Sequence, residues 1–279
     1  MNASRAQAGP ELAGLLVLEH VSAVYGPYRA LFDVSFTVPA GSAVALVGSN
    51  GAGKSTVARV VSGLVKASGG RVLFAGRDIT RWPAWRVARA GLSHAPEGRS
   101  VFATLSVEEN LVLTFRQAVG RRGVADALER AYQAFPRLQE RHKQLAGTLS
   151  GGEQRMLSLA KVLAVPQKLL VVDELSLGLA PVVVDEVFGA LQAIRANGTA
   201  LLVVEQHMDR VLALADMVVV LSKGRVVYSG SPEGAAALAT TLVPPAGDDG
   251  TSRGGPGADA GDVGELGSSG LGEVSSPSV

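Results

Sequence analysis

The octapeptide Gly48-Ser-Asn-Gly-Ala-Gly-Lys54-Ser55 follows an apolar run, Ala43 to Val47, and leads into a segment of helical period. That context distinguishes a phosphate loop from a Gly-rich turn. Gly48, Gly51 and Gly53 let successive backbone N–H groups turn inward around phosphate oxygens. Ser49, Asn50 and Ala52 complete the cradle, and the helix behind it adds partial positive charge. Lys54 is spaced to reach β- and γ-phosphates, Ser55 to give its hydroxyl to Mg²⁺, and Thr56 to donate to an α-phosphate. Such a loop names a ligand class and not a function.

Two further segments narrow the chemistry. Leu169-Leu-Val-Val-Asp173-Glu174 is an apolar run ending in adjacent carboxylates, and alternation along a strand sends them to different tasks. Asp173 is suited to hold Mg²⁺ through water, and Glu174 to face the γ-phosphate and accept a proton from the attacking water. Leu149-Ser-Gly-Gly-Glu-Gln154 opens a helical segment, with Ser150 and Glu153 in capping-box form. Capping does not explain Gly151 and Gly152, because glycine weakens a helix by about 1 kcal/mol per interior position. Close approach of the backbone to an anion does.

The elements that must position these residues are legible as an alternation of short apolar runs and helical periods. The pattern predicts strands near 15–25, 33–38, 42–48, 71–76, 169–173, 200–204, 216–221 and 225–228. Helices are predicted near 54–63, 106–118, 124–135, 151–164, 181–196 and 207–214. Doubly buried strands interleaved with helices indicate an α/β sheet. The stretch from about 95 to 165 carries no convincing strand and reads as a helical insert within a core domain of 15–243. Trp82 and Trp85 flank Pro83 at a short helix start.

Composition bounds the rest. The chain has 279 residues, 47% of them hydrophobic and 18% charged, enough for a sizeable core. No run approaches the ~18 apolar residues of a membrane span, and zero cysteines exclude disulfides and thiolate metal sites. Residues 244–279 contain six Asp/Glu, one Arg, ten Gly and four Pro, and predict a disordered acidic tail; residues 1–14 read as a flexible start. The tail's −5 leaves +6 on the remainder of a chain whose net charge is +1. So diffuse a surplus excludes nucleic acid as the expected partner. His20, His94 and His142 are scattered and lack metal-ligand spacing.

The ordered trio of phosphate loop, Leu149-Ser-Gly-Gly-Glu-Gln154 and Leu169-Leu-Val-Val-Asp-Glu174 resembles the ATP-binding subunit of an ABC transporter, over about residues 15 to 232. Pro96-Glu-Gly-Arg99, Ser106-Val-Glu-Glu-Asn-Leu111, Phe135-Pro-Arg-Leu138, Ser176-Leu-Gly-Leu-Ala-Pro181 and Val204-Glu-Gln206 resemble one branch, the ATPases of branched-chain amino acid importers. The resemblance implies a P-loop NTPase core with mixed sheet and inserted helical subdomain, using ATP and Mg²⁺. It implies a head-to-tail dimer with a second ABC ATPase, a sister subunit or a second copy. The Ser150, Gly151, Gly152 and Glu153 segment of each subunit would then cover ATP on the other. Two membrane permease subunits would dock on the insert, an extracytoplasmic solute-binding protein would deliver the cargo, and the ATPase would lie on the cytoplasmic face of the membrane.

The resemblance also assigns residues that spacing does not. It places Tyr25 against adenine, Glu97 at the Mg²⁺ site where the wider family has glutamine, and Gln206 at the γ-phosphate switch usually held by histidine, with His207 one position later. Leu175 replaces the proline that commonly follows the catalytic glutamate, and Ala180 an aspartate of the dimer loop. The same resemblance admits a urea or amide importer. Readings of another class are a soluble ABC ATPase, disfavoured by the single phosphate loop and lack of heptads, and a non-hydrolysing regulator, disfavoured by intact Lys54, Asp173 and Glu174.

Overall fold

The computed structural model describes residues 14–242, apart from 97, 99, 175–178 and 207. The chain opens with β1 (Leu16–Tyr25), β2 (Tyr28–Val38), β3 (Ala43–Val47), α1 (Lys54–Val61), β4 (Gly69–Phe74) and β5 (Arg77–Asp78). There follow α2 (Ala84–Arg89), β6 (Leu92–Ala95), α3 (Val107–Val119), α4 (Val124–Ala134), α5 (Pro136–Glu140) and α6 (Gly151–Leu163). The chain then returns through β7 (Leu169–Asp173), α7 (Pro181–Ala196), β8 (Ala200–Glu205), α8 (Met208–Leu214), β9 (Met217–Ser222), β10 (Arg225–Gly230) and α9 (Pro232–Leu242).

Six strands form a mixed sheet in the order β10-β9-β3-β8-β7-β6, parallel except for the β9–β10 pair. Four form an antiparallel sheet, β2-β1-β4-β5. In the six-stranded sheet β3, β7 and β8 are buried throughout, and strand alternation divides their side chains between two cores. Ala43, Ala45, Val47, Leu170, Val172, Leu201 and Val203 join one core with Leu111 and Phe115 of α3 and Met156 of α6. Val44, Leu46, Leu169, Val171, Leu202 and Val204 join the other with Val57 and Val61 of α1 and the antiparallel sheet. Between β6 and β7 the described residues carry helices α3 to α6 and no strand, and these helices share the first core.

Several boundaries differ from the expectation. β2 begins at Tyr28, because Gly26 with φ 55° closes a tight hairpin and pairs Tyr25 with Tyr28. β6 was not expected: it has only four residues, two of them Ser93 and His94, and its strand character comes from pairing with β7. The short α5 starts on Pro136, which suits a first helical position. The expected flexible start lies, but for Gly14, outside the described residues, as does the expected tail over 244–279. No helix among the described residues is long and apolar enough to cross a membrane.

Candidate active site

The phosphate loop links the carboxyl end of β3 to α1, at the centre of the six-stranded sheet. Its glycines are required by the fold as well as by a ligand. A Cβ at Gly48 would run into the carbonyl of Leu221 on β9, and one at Gly53 would sit 3.0 Å from the carbonyl of Ala30 on β2. Gly48, Gly51 and Gly53 all have positive φ. The loop is thus moulded between two strands, with backbone N–H groups free to turn inward.

The start of α1 contrasts with those of α3 and α6. Ser106 and Ser150 each accept from the backbone N–H three residues on, and Glu109 and Glu153 each return a bond to the cap, completing capping boxes. Gly53 offers α1 no side-chain cap, and no acidic residue stands in its first turn. Instead a cation, Lys54, occupies the first helical position, only 4% exposed, and its Nζ donates to the carbonyls of Gly48 (2.9 Å) and Ser49 (3.2 Å). A helix start without cap or anion, and with a buried ammonium beside it, is suited to a polyanion. Thr56 is buried in the same turn.

Strand register brings the second half of the site to this end. β8 lies between β3 and β7, with Val47 opposite Glu205 and Asp173 opposite Val204. Ser55 Oγ donates to Asp173 Oδ1 at 3.1 Å, so the first turn of α1 meets the end of β7. A hydroxyl and a buried carboxylate are hard oxygen donors of the kind Mg²⁺ accepts beside phosphate oxygens.

Glu174 is separated from Asp173 by a backbone turn and not by simple strand alternation. β7 ends at Asp173; Glu174 has φ 48°, and its N–H donates to Val204 O at 3.0 Å. A left-handed glutamate is uncommon and must be held by its surroundings. A proline at 175 would bias residue 174 toward extended backbone, and Leu175 removes that bias. Leu175 itself, Glu97 and His207 lie outside the described residues. Gln206 is exposed directly after β8, and its N–H donates to the buried Glu205 carboxylate at 3.3 Å.

Tyr25 stands 40% exposed at the tip of the β1–β2 hairpin, whose second strand touches the loop at Gly53 through Leu31 and Ala30. Ser150 to Glu153 open α6 elsewhere: among the described residues no hydrogen bond or ion pair joins them to residues 48–56. Glu153 is engaged locally, accepting from Ser150 N (2.9 Å) and pairing with Arg141 Nε (2.9 Å). Burial pushes its carboxyl up, but the bonds from Ser150 and the charges of Arg141 and Arg137 together hold it below the ordinary value. Gly152 has ordinary φ, and a Cβ there would meet Leu179 and Val183 only at 4.0 Å, so packing within this chain does not require glycine.

Sequence reasoning missed Arg155. It is 5% exposed in α6, and its guanidinium donates to the carbonyls of Pro96, Gly98, Asp173 and Glu174. The available signal was an arginine on the helix among Met156, Leu157 and Leu159, all of them buried.

Fold and site together define a phosphate-loop NTPase of α/β architecture. The family model described as ABC transporter matches residues 31–176. The chain is 39% identical over 229 residues to the high-affinity branched-chain amino acid transport ATP-binding protein BraG of Pseudomonas aeruginosa, covering 82% of this chain and 97% of that protein. It is 35% identical over 212 residues to the probable branched-chain amino acid transport ATP-binding protein LivF of Archaeoglobus fulgidus, covering 76% and 89%. A solved nucleotide-free ATP-binding cassette from an ABC transporter superposes with a TM-score of 0.70 at 26% identity, over 81% of this chain and 95% of that one. The chain belongs to the ABC transporter family, as one of its ATP-binding and ATP-hydrolysing cassettes.

Proposed function

We propose that this cassette powers an importer of branched-chain or related amino acids, working as a pair with a sister ATPase or a second copy on the cytoplasmic face of the membrane. The single observation that carries the cargo reading is the 39% identity to BraG across 97% of that protein. Lys54 and the N–H groups of Gly48 to Ser55 bind the β- and γ-phosphates, Thr56 donates to the α-phosphate, and Tyr25 stacks on adenine. Ser55, Asp173 and Glu97 would hold Mg²⁺, which would supply charge neutralisation for the phosphates. Glu174 orients a water for in-line attack on the γ-phosphorus and takes its proton, while the bond to the ADP oxygen breaks. Gln206 donates a hydrogen bond to the γ-phosphate.

The Ser150–Gly152 end of α6 covers ATP bound by the other subunit. Its support is twofold. The capping box satisfies Ser150 N–H and Glu153 N–H, which leaves the first-turn N–H groups of Gly151 and Gly152 for an anion, and Gly152 has no packing reason within the chain. Two permease subunits engage the region of α3 to α6, and an external binding protein selects the solute.

Affinity purification of the full-length chain from gently extracted membranes of its own host, with ATP and Mg²⁺ present, tests this. Permease subunits with a second ATPase are the expected companions, and the associated binding protein is then titrated with leucine, isoleucine, valine, urea and short amides. Preference for urea or amides moves the cargo; recovery of soluble partners alone removes the transport role.

A further inference from the structure

Arg155 lies in the second turn of α6, and an arginine is almost never so buried unless its guanidinium is engaged. Its Nη1 donates to Pro96 O at 2.7 Å and to Gly98 O. Its Nη2 donates to Asp173 O and Glu174 O, both at 3.2 Å. The first pair of carbonyls brackets position 97, and the second pair belongs to the residues assigned to Mg²⁺ and to the attacking water. A single planar group therefore joins the helix that begins at Ser150 to both loops.

We propose that Arg155 is a positioning residue for hydrolysis: it fixes the peptide planes that aim Glu174, and makes that aim depend on where α6 and the carbonyls of Pro96 and Gly98 sit. The proposal rests on Glu174 being the residue that orients water. The left-handed backbone of Glu174 persists only if its surroundings over-determine it. Two bonds do so from opposite sides, Glu174 N–H to Val204 O on β8 and Arg155 to Glu174 O. The first ties the residue after β7 to β8 and does not involve α6. The second does, and hydrogen bonds weaken steeply as distance and angle degrade. Displacement of α6, or of the Pro96 and Gly98 carbonyls, would thereby be transmitted to the residue that orients the water. Lysine cannot replace this link, since a compact ammonium lacks the rigid fork that spans four carbonyls.

The test is steady-state ATPase activity of Arg155→Lys and Arg155→Gln in the full-length chain, within the complex it co-purifies with, normalised to sites that bind ATP. Misaiming a reacting group by about 1 Å costs on the order of a hundredfold, so kcat is expected to fall roughly tenfold to a hundredfold. KM for ATP should stay within about twofold, because phosphate-loop binding is untouched. In a Glu174→Gln background, Arg155→Lys is expected to change the residual turnover by less than about twofold, because the group it positions has gone.

A raised KM with unchanged kcat, or the same loss in the Glu174→Gln background, overturns the proposal and leaves Arg155 a purely structural bond. If Glu174→Gln alone leaves turnover intact, the water-orienting role fails and this proposal falls with it. If Glu174→Gln abolishes turnover while Arg155→Lys matches wild type, only the positioning role falls. Should the lysine variant not fold, the glutamine variant carries the same readouts with a neutral donor.

Discussion

Ser55 and Asp173 stand 118 positions apart in the chain, and the hydroxyl of the one donates to the carboxylate of the other across 3.1 Å. The bond brings together the first turn of α1 and the last residue of β7, so the oxygen donors proposed for Mg²⁺ are arranged by the fold itself. Asp173→Asn keeps the shape but exchanges an anion for an amide. ATPase activity measured against Mg²⁺ concentration should show kcat lowered by roughly a hundredfold to a thousandfold, the scale for removing one electrostatic group from a reaction centre. Ser55→Ala should shift the Mg²⁺ requirement upward with a smaller loss. A wild-type Mg²⁺ curve in both variants would place the metal elsewhere.

Gln206 donates hydrogen bonds but carries no titratable proton in the physiological range. If it serves the γ-phosphate, the kcat–pH profile should lack the limb near pH ~6.5 that an active-site histidine produces. Gln206→Ala should reduce kcat strongly and His207→Ala should not. The reverse pattern, with a limb that vanishes in His207→Ala, assigns the switch to the histidine.

His94 has both ring nitrogens buried without a partner, on β6 opposite Val171. Burial first, and the charge of Arg59 second, lower its pKa to about 4. The ring is then neutral in the folded protein over a range where the unfolded chain, with an ordinary value near ~6.5, binds a proton. Stability from this group is complete above about pH 6.5 and is lost as pH falls toward 4. Urea unfolding should show wild type losing about 2 kcal/mol more than His94→Phe between pH 7 and pH 5. Parallel pH dependences for the two proteins would mean the imidazole reaches water.

Asn110 is fully buried and holds the segment before α3 by four bonds. It accepts from Phe102 N (2.8 Å) and donates to Phe102 O (3.0 Å), Leu105 O (3.3 Å) and Ser106 O (2.9 Å). Asn110→Ala strands several of these backbone groups, and denaturant titration should register a loss of about 2 kcal/mol with unchanged m-value. The same substitution releases Phe102, which is 51% exposed with Lys161 over its ring, and should weaken permease recovery in the purification. Wild-type stability would mean that water replaces the amide without cost.

What could be read from the sequence was whatever is encoded locally. The phosphate loop, the capping box at Ser150, and the apolar runs of β3, β7 and β8 depend on neighbours within a few residues, and they stand where spacing put them. β6 was illegible because four residues with a serine and a histidine carry no period; β7 makes them a strand. Arg155 was illegible because its acceptors are main-chain carbonyls, which have no residue type to recognise. The parting of Asp173 from Glu174 was foreseen for the wrong reason, since a positive φ, and not the pleat, redirects the second carboxylate.

The bare start of α1 ties nucleotide supply to the durability of the protein. Where α3 and α6 carry capping boxes built from their own side chains, α1 has none. A triphosphate seated there would act as the helix's N-cap, so ligand at about a hundred times its Kd would add about 2.7 kcal/mol to the folded state. Fuel and scaffold are in that sense one object: a cell drained of ATP would hold a cassette that is idle and, at the same moment, easier to unfold and to degrade.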